Sequence, residues 1–237
     1  MSPDADDVRM RQAEASERLR ERFSVPEVLN TVCHDVRATL SVTAGSATEL
    51  GSPEYGPLND VQQQLVAIIQ RGNLRLARLA GNLAQLSELW EGSLELRPSR
   101  ADLAALVRQT LDELRRQDPQ SKIVCEVSLP DQPLTAELDI ERTRQVLVNI
   151  LGIALSVAHG RVTVSLAASN GAAVLRVEDD GPERRRTVPR EGIKRVSSTE
   201  LALAVSEGLL FAQGGTLTLE SPTSGPGGCR VNVTLAI

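Results

Sequence analysis

The sequence predicts two parts, a helical hairpin followed by an α/β sandwich. Apolar residues recur at spacings of three and four over residues 25–90, which is the pattern of helices with one buried side. From residue 99 onward, helical stretches alternate with short runs in which every second residue is apolar. Clusters of Gly and Pro separate these stretches. We therefore predict an α plus α/β fold with a charged helical lead-in over 1–24, the hairpin over 25–98 and the sandwich over 99–237.

Two apolar stripes define the hairpin. The first helix starts near Ser24-Val25-Pro26, and its stripe consists of Val25, Leu29, Val32, Val36 and Leu40. The segment GSPEYGPL (51–58) turns the chain. The second stripe repeats about every seven residues and consists of Val61, Leu65, Ile68, Gly72, Leu76, Leu79, Leu83, Leu86 and Trp90. Because one hairpin buries little surface, we expect two copies to pair into a dimeric four-helix bundle.

The second half alternates between helices and strands. Helices are predicted over 101–116, over 140–157 with Asp139 as N-cap, and over 199–213 before Gly214-Gly215. Strands are predicted over 122–129, 161–168, 172–179, 216–220 and 229–236. A turn at Ser169-Asn170-Gly171 joins two of these strands into a hairpin, and residues 180–198 form a polar loop. The pattern predicts about three helices packed on one mixed sheet.

Composition excludes several classes of function. Hydrophobic residues make up 41% of the chain and aromatic residues only 2%, so the core is predicted to be aliphatic. A net charge of −5 argues against nucleic acid and anionic membranes as partners. The chain has no apolar run long enough for a membrane span, and its charged N-terminus is not typical of a secretory signal. The three cysteines lack the spacing of a metal site, so we expect a reduced, cytoplasmic protein without a resident metal.

His34 is the candidate reactive residue. At about 100° per residue, it lies roughly 160° from Val32 and Val36 around the first helix, and therefore faces solvent. An exposed imidazole is largely neutral at pH 7 and can act as a nucleophile. Asp35 follows directly and can orient the ring or accept its proton. Taken alone, the same pattern also fits a surface histidine with no role.

The surrounding residues resemble two-component histidine kinases. LNTVCHDVRATL (29–40) resembles the H-box, and residues 76–98 resemble the second helix of the dimerisation and phosphotransfer domain. LDIERTRQVLVNILGIAL (138–155) looks like the N-box helix, and VEDDGP (177–182) looks like the glycine-containing box that follows it in GHKL-type ATPase domains. Residues 201–221 look like the last helix and strand. The matches follow in family order over residues 25–237, and the resemblance implies a GHKL-type sandwich.

The resemblance also implies roles for particular residues. The catalytic pair is His34 and Asp35, and a response-regulator receiver domain is expected to contact the first helix around Arg37, Ala38 and Ser41. The residues carried over from the nucleotide site are Asn149, at the first ligand position of the N-box, Asp179, which in the family contacts the adenine amino group, and Gly181. Ala38 stands where members that dephosphorylate a partner often have Thr or Asn.

Several family features of the nucleotide site are missing. Ile153 replaces the second polar N-box ligand, Glu183 replaces a glycine, and Ser198-Thr199-Glu200 stands where a glycine-rich box should cradle phosphates. The loop between them is rich in arginine, with Arg184, Arg185, Arg186, Arg190 and Arg195. These arginines either clamp phosphates or form a solvated or partner-contacting loop.

Three functions fit this pattern. In the first, which resembles small bacterial histidine phosphotransferases derived from kinases, His34 relays a phosphoryl group to or from a receiver Asp. The receiver brings the Mg²⁺, and this chain needs no cofactor of its own. In the second, the chain is an autokinase that uses ATP and Mg²⁺. In the third, it is a pseudokinase scaffold for a receiver or for an upstream kinase or sensor. All three predict a homodimer.

Overall fold

A computed structural model of the chain describes residues 8, 10–14, 17, 29–118, 121–184, 197–220 and 228–237. The chain divides into two compact units, Ser24–Glu88 and a second unit formed by Met1–Phe23 together with Leu89–Ile237. The predicted domain boundaries at residues 24 and 98 stay predictions. The predicted helix start at Ser24-Val25-Pro26 lies outside the described residues.

The first unit is a hairpin of two helices. Helix α1 spans Leu29–Leu50, a short 3-10 turn spans Pro53–Tyr55, and helix α2 spans Asp60–Glu91. The helices run antiparallel, because Arg37 Nη2 donates to the Ala80 carbonyl at 3.4 Å and Thr43 Oγ1 donates to Asn73 Oδ1 at 3.1 Å. The structure thus confirms the predicted hairpin and the turn between its helices.

The buried face of α1 differs from the predicted stripe. Cys33 and Ala47 are buried and Leu40 and Ala44 are half-buried, whereas Val32 and Val36 are exposed. Several apolar side chains of α2 that belong to the predicted stripe are also exposed in the single chain, namely Val61, Leu65, Ile68 and Leu76. The stripe identified the helices correctly, but part of it remains uncovered within one chain.

The second unit carries a mixed sheet. Its strands are β1 (Ser99–Asp102), β2 (Val124–Ser128), β3 (Thr135–Leu138), β4 (Arg161–Ser169), β5 (Ala172–Asp179), β6 (Thr216–Glu220) and β7 (Cys229–Ala236). Among the described residues, five strands form one sheet in the order β2-β4-β5-β7-β6, in which β2 and β4 are parallel and the other pairs are antiparallel. Asn170 and Gly171 both have positive φ, as the predicted hairpin turn between β4 and β5 requires.

Between the described strands of this unit lie the helices α3 (Leu103–Gln117), α4 (Ile140–Val157) and α5 (Ser198–Ala212). Their buried side chains are aliphatic, as the low aromatic content predicts, and include Val107, Leu111, Leu147, Leu151, Val205 and Leu209. Helices and mixed sheet agree with the prediction.

The helix ends follow their local sequence signals. Asp139 caps α4 by accepting from the Arg142 N–H, as predicted. Gln213 Oε1 accepts hydrogen bonds from Asp139 N and Thr143 Oγ1, which ties the end of α5 to the start of α4. Gly214 has a φ of +77° and ends α5, as expected of a glycine after a helix.

A small second sheet was not predicted. Strands β1 and β3 pair antiparallel, with Ser99 opposite Leu138 and Asp102 opposite Thr135. Residues 101–102 had been assigned to the start of a helix, but Asp102 instead ends β1 and caps α3 through the Ala104 N–H. The pairing joins residues more than 30 positions apart, so no local pattern indicated it.

The lead-in residues that the structure describes belong to the second unit. Residues 10–14 are helical, in agreement with the predicted helical lead-in. Gln12 Nε2 donates to the Leu94 carbonyl at 2.5 Å, which attaches this segment to the chain just before β1.

Candidate functional site

His34 lies on the open side of α1. The side chains of His34 and Asp35 are 85% and 79% exposed, and His34 Nδ1 lies 3.8 Å from Asp35 Oδ1. This separation is longer than a hydrogen bond, so the two side chains are neighbours without a direct hydrogen bond. The exposure agrees with the helical periodicity, and it leaves the imidazole accessible to a partner as large as a protein domain.

The three residues expected to meet a receiver are all exposed, but they differ in their contacts. Arg37 reaches across the hairpin to the Ala80 carbonyl of α2. Ser41 Oγ donates back to the Arg37 carbonyl at 3.0 Å, as serine commonly does inside a helix. Ala38 adds no polar group. Around the helix, Ser41 lies within roughly 20° of His34 at about 100° per residue, so these two residues share one face.

Cys33, which precedes His34, is buried at 2% exposure. Burial raises the pKa of its thiol, and the nearby Arg37 guanidinium partly offsets this effect. A thiol that is buried and protonated is a poor nucleophile, which argues against a reactive role for this sulfur.

Asn149 does not point into open space. Its side chain is buried between α4 and α5, where Nδ2 donates to Ser206 Oγ at 3.2 Å and to the Ala202 carbonyl at 3.4 Å. Its Oδ1 accepts from Gln145 Nε2 at 3.4 Å. One turn further along α4, Ile153 offers no polar atom. Among the described residues, no group of three or more His, Cys, Asp or Glu side chains is arranged to hold a metal ion.

Asp179, at the end of β5, is paired with an arginine. Its side chain is 1% exposed and that of Arg184 is 13% exposed. Arg184 Nη1 donates to Asp179 Oδ1 at 3.2 Å and Nη2 donates to Oδ2, so the guanidinium binds both carboxylate oxygens. For Arg184 this contradicts the interpretation as part of a solvated loop, because its side chain is mostly buried against Asp179. The other four arginines lie outside the described residues.

Gly181 is required by the packing of the backbone. A Cβ at this position would lie 2.4 Å from the Val157 carbonyl oxygen and 2.9 Å from Asp179 Oδ1. Gly181 N donates to Asp179 Oδ1 at 3.1 Å, and its carbonyl accepts from Gly228 N at 2.6 Å. Backbone packing thus explains why position 181 is a glycine, without reference to a nucleotide.

The N-terminus of α5 is closed by a capping box. Ser197 Oγ accepts from the Glu200 N–H at 3.1 Å, and Glu200 Oε2 accepts from the Ser197 N–H at 2.8 Å. In the family, the corresponding segment offers backbone N–H groups to phosphates. Here a hydroxyl and a carboxylate of the chain take two of these donors, and the carboxylate places a negative charge at the end of the helix.

Asp180 holds the turn before β4. Its carboxylate accepts from the backbone N–H groups of His159, Gly160 and Arg161 at 2.8–3.1 Å. Hydrogen bonds from Gly160 and then Arg161 make the largest contributions to lowering the pKa of this carboxyl group. The sequence interpretation had singled out Asp179 but not Asp180.

Sequence reasoning missed three further groups at this site: Arg184 as the partner of Asp179, Ser206 as the partner of Asn149, and the capping box. The Ser-x-x-Glu spacing of Ser197 and Glu200 is a readable helix-start signal. Ser206 meets Asn149 through a contact between residues 57 positions apart, and Arg184 follows Asp179 by five residues in a segment without periodicity, so neither pairing had a local signal.

Comparison with known proteins agrees with this fold and order of motifs. Residues 138–237 match the family of histidine kinase-, DNA gyrase B- and HSP90-like ATPases. The circadian input-output histidine kinase CikA of Synechococcus elongatus is 26% identical over 82% of this chain and 28% of its own length. The sensor histidine kinase AruS of Pseudomonas aeruginosa is 30% identical over 89% of this chain and 22% of its own length. These comparisons support a two-component histidine kinase core in this chain.

Solved structures show the same fold. The crystal structure of full-length ShkA in complex with AMPPNP aligns with a TM-score of 0.61 at 23% identity over 90% of this chain and 46% of its own. The Acinetobacter baumannii histidine kinase AdeS aligns with a TM-score of 0.57 at 20% identity over 84% of this chain and 95% of its own. The chain spans about a quarter to a half of the length of the curated kinases that it matches. No helix in the described ranges is both long and apolar enough to cross a membrane.

Proposed function

We propose that this histidine kinase core works as a phosphotransfer protein, in which His34 exchanges a phosphoryl group with the Asp of a response-regulator receiver domain. Self-phosphorylation from ATP is weak or absent in this proposal. The observation that carries it is a contrast between two sites. The imidazole of His34 is open to solvent, whereas the polar groups carried over from the nucleotide site are bonded to the chain itself.

The exposed imidazole supplies the chemistry of transfer. Its ring nitrogen forms an N–P bond as the O–P bond of the receiver's aspartyl phosphate breaks, and the Asp carboxylate leaves as an anion. The imidazole proton passes to solvent or to the Asp35 carboxylate, 3.8 Å from Nδ1. Since Nδ1 faces Asp35, we assign Nε2 as the nitrogen that accepts the phosphoryl group. Positioning by docking supplies most of the rate enhancement.

Internal bonding of the nucleotide-site residues argues against ATP as the donor. Asn149 would have to leave Ser206 and Ala202 to reach a metal ion. Asp179 would have to release Arg184 to meet an adenine. A triphosphate at the start of α5 would meet the Glu200 carboxylate in place of free N–H groups. Each exchange breaks an existing interaction of a buried or capping group, which lowers the affinity for nucleotide.

The same proposal implies which cofactors the chain needs and in which compartment it works. A receiver domain brings Mg²⁺ to the acyl phosphate, so this chain requires no metal or nucleotide for transfer. The thiols of Cys33, Cys125 and Cys229 are free, which fits a reducing cytoplasm.

The exposed apolar side chains of the hairpin support a homodimer. Val32 and Val36 on α1 and Val61, Leu65, Ile68 and Leu76 on α2 are each 38–65% exposed in the single chain. Burying exposed apolar side chains of this number against another chain stabilises a helical hairpin. We propose that a second copy covers it, while His34 on another side of α1 stays open to the receiver.

We propose that the receiver docks on the face of α1 that carries His34, Arg37, Ala38 and Ser41. The experiment incubates the full chain with receiver domains pre-phosphorylated by acetyl phosphate and Mg²⁺, and follows phosphohistidine by mass spectrometry. Phosphorylation of His34 that disappears in His34→Ala is the expected result. If none of the receivers encoded by the source genome phosphorylates His34 or accepts its phosphoryl group, the transfer proposal is wrong and a scaffold role replaces it.

A further inference from the structure

A buried ion pair occupies the end of strand β5. Asp179 and Arg184 are only five residues apart, and the guanidinium engages both carboxylate oxygens from the side where the chain leaves the strand. The Asp179 side chain is 1% exposed, so almost none of its charge reaches water. A carboxylate buried to this extent is stable as an anion only with a partner that matches its charge and its hydrogen-bonding capacity.

We propose that Arg184 is the resident occupant of the pocket around Asp179, an internal cation that takes the place of a nucleotide base. This inference rests on the proposed function, because it gives the physical reason why the nucleotide site is closed. A guanidinium is flat and presents two parallel N–H donors to a carboxylate, whereas the edge of an adenine offers one N–H donor beside an acceptor nitrogen. Unlike a neutral purine, it also neutralises the charge of Asp179.

The surroundings favour the guanidinium over a neutral base. Cys229 lies opposite Asp179 in the register of β5 and β7, and it is fully buried. Burial raises the pKa of the Cys229 thiol, Arg184 lowers it in part, and Asp179 raises it, so all three side chains influence one another. Asp179 Oδ1 also accepts the Gly181 N–H. A base that displaced Arg184 would leave the Asp179 charge without its compensating cation.

Two consequences follow. Adenine nucleotides do not stabilise the wild-type chain, because binding requires the loss of the ion pair. Removal of the arginine side chain leaves a buried, unpaired carboxylate and an emptied space of guanidinium shape. The Arg184→Ala variant is therefore destabilised, and a free guanidinium-type cation is expected to restore part of the loss.

The test measures thermal unfolding of the full-length protein and uses Arg176→Ala as the matched control. Arg176 is an exposed arginine of the same strand, β5, whose Nε donates to Asn232 Oδ1 at 3.3 Å. Arg184→Ala is expected to lower Tm by about 6 °C or more, and Arg176→Ala by about 2 °C or less. Millimolar methylguanidinium chloride should raise the Tm of Arg184→Ala relative to equal NaCl, with no such gain for Arg176→Ala.

A double variant keeps the proposal testable if Arg184→Ala does not fold. Asp179→Asn/Arg184→Ala removes both charges, so it should be more stable than Arg184→Ala alone. Equal Tm losses for the two arginine variants, or no difference between Arg184→Ala and the double variant, would overturn the assignment. A rise in wild-type Tm with MgADP as large as that of Arg184→Ala would also overturn it, because the pocket would then admit a base despite the arginine.

Failure of this proposal is separable from failure of the proposed function. Phosphoryl transfer between a receiver and His34 is measured on the same Arg184→Ala protein, and it should proceed at the wild-type rate. Absence of transfer in the wild type refutes the role of His34 and leaves the Tm comparison unaffected. If Arg184→Ala gains no Tm from methylguanidinium and the double variant is no more stable than Arg184→Ala, the internal occupant is refuted and the transfer result is unaffected.

Discussion

Gly181→Ala tests whether the glycine after Asp179 is needed for packing alone. A methyl group at this position would lie 2.4 Å from the Val157 carbonyl oxygen, where real Cβ contacts essentially never fall below 3.0 Å. The two backbone segments would have to separate by about 0.6 Å, the difference between these distances. Val157 ends α4, so the shift cannot be absorbed by a flexible side chain.

The size of the effect follows from the bonds that the shift disturbs. Overpacking of this kind costs about 1–3 kcal/mol. Movement of Gly181 also strains its hydrogen bonds to Asp179 Oδ1 and from Gly228 N, each of which contributes about 1 kcal/mol. We expect a loss of about 2–4 kcal/mol in the free energy of unfolding of the α/β unit, or a fall in Tm of roughly 5–12 °C.

The assay is thermal unfolding of the full chain without nucleotide, followed by circular dichroism. Gly160→Ala is the control, because a Cβ there would meet only Asp180 Oδ2 at an ordinary 3.6 Å and the Gly160 N–H would be kept. A Tm for Gly181→Ala within about 2 °C of that of Gly160→Ala would refute the packing explanation. The glycine would then be attributed to ligand binding.

Three further predictions concern a turn, a helix end and the docking face. Asp180 has a pKa held below its ordinary 3.8, so its contribution to stability is full above about pH 3.8 and is lost as pH falls through the lower folded value. Asp180→Asn should therefore show a smaller drop in Tm on acidification than wild type. Ser197→Ala removes the N-cap of α5 and should cost about 1 kcal/mol, with Ser198→Ala as control in the same unfolding assay. Arg37→Glu should slow receiver transfer roughly tenfold while Tm falls by only about 2 °C; a collapse of the hairpin instead would contradict the exposed placement of Arg37.

Local patterns were sufficient to predict most of the sandwich. Strands β4 and β5 alternate along almost their whole length, and Asn170-Gly171 supplies the positive φ values that their turn requires. Asp139 was recognisable as a cap because an acid preceded a long apolar helix. These features are set by neighbours in sequence, so the chain itself contains the information.

Long-range contacts account for what was missed. Strands β1 and β3 are four residues each; β1 shows no alternation, and the alternation of β3 is too short to indicate a strand by itself. They exist because they pair with each other. Which face of α1 is buried was also ambiguous, because the apolar residues around Cys33 and those around Val36 form neighbouring faces of one helix. Only the face around Cys33 packs within the hairpin.

The candidate site shows the same contrast between features that the local sequence predicts and features that depend on tertiary contacts. The exposure of His34 was predicted correctly from the periodicity of α1, although the face that packs within the hairpin includes Cys33 and not Val32 or Val36. The pairing of Asp179 with Arg184 depends on how the chain leaves β5, in a segment without periodicity. The closing of the α5 terminus by Ser197 and Glu200 was readable as a capping box, but Glu200 had been interpreted only as part of the segment that replaces a glycine-rich box.

The most direct test of the central claim compares two phosphoryl donors for His34 in one assay. The full chain is incubated either with γ-labelled ATP and Mg²⁺ or with labelled phospho-receivers, and the His34→Ala variant is the control in both arms. The account predicts His34-dependent label from a receiver and none from ATP. His34-dependent label from ATP at a comparable rate would contradict it, and would show that the chain is an active autokinase whose nucleotide site opens despite its internal bonds.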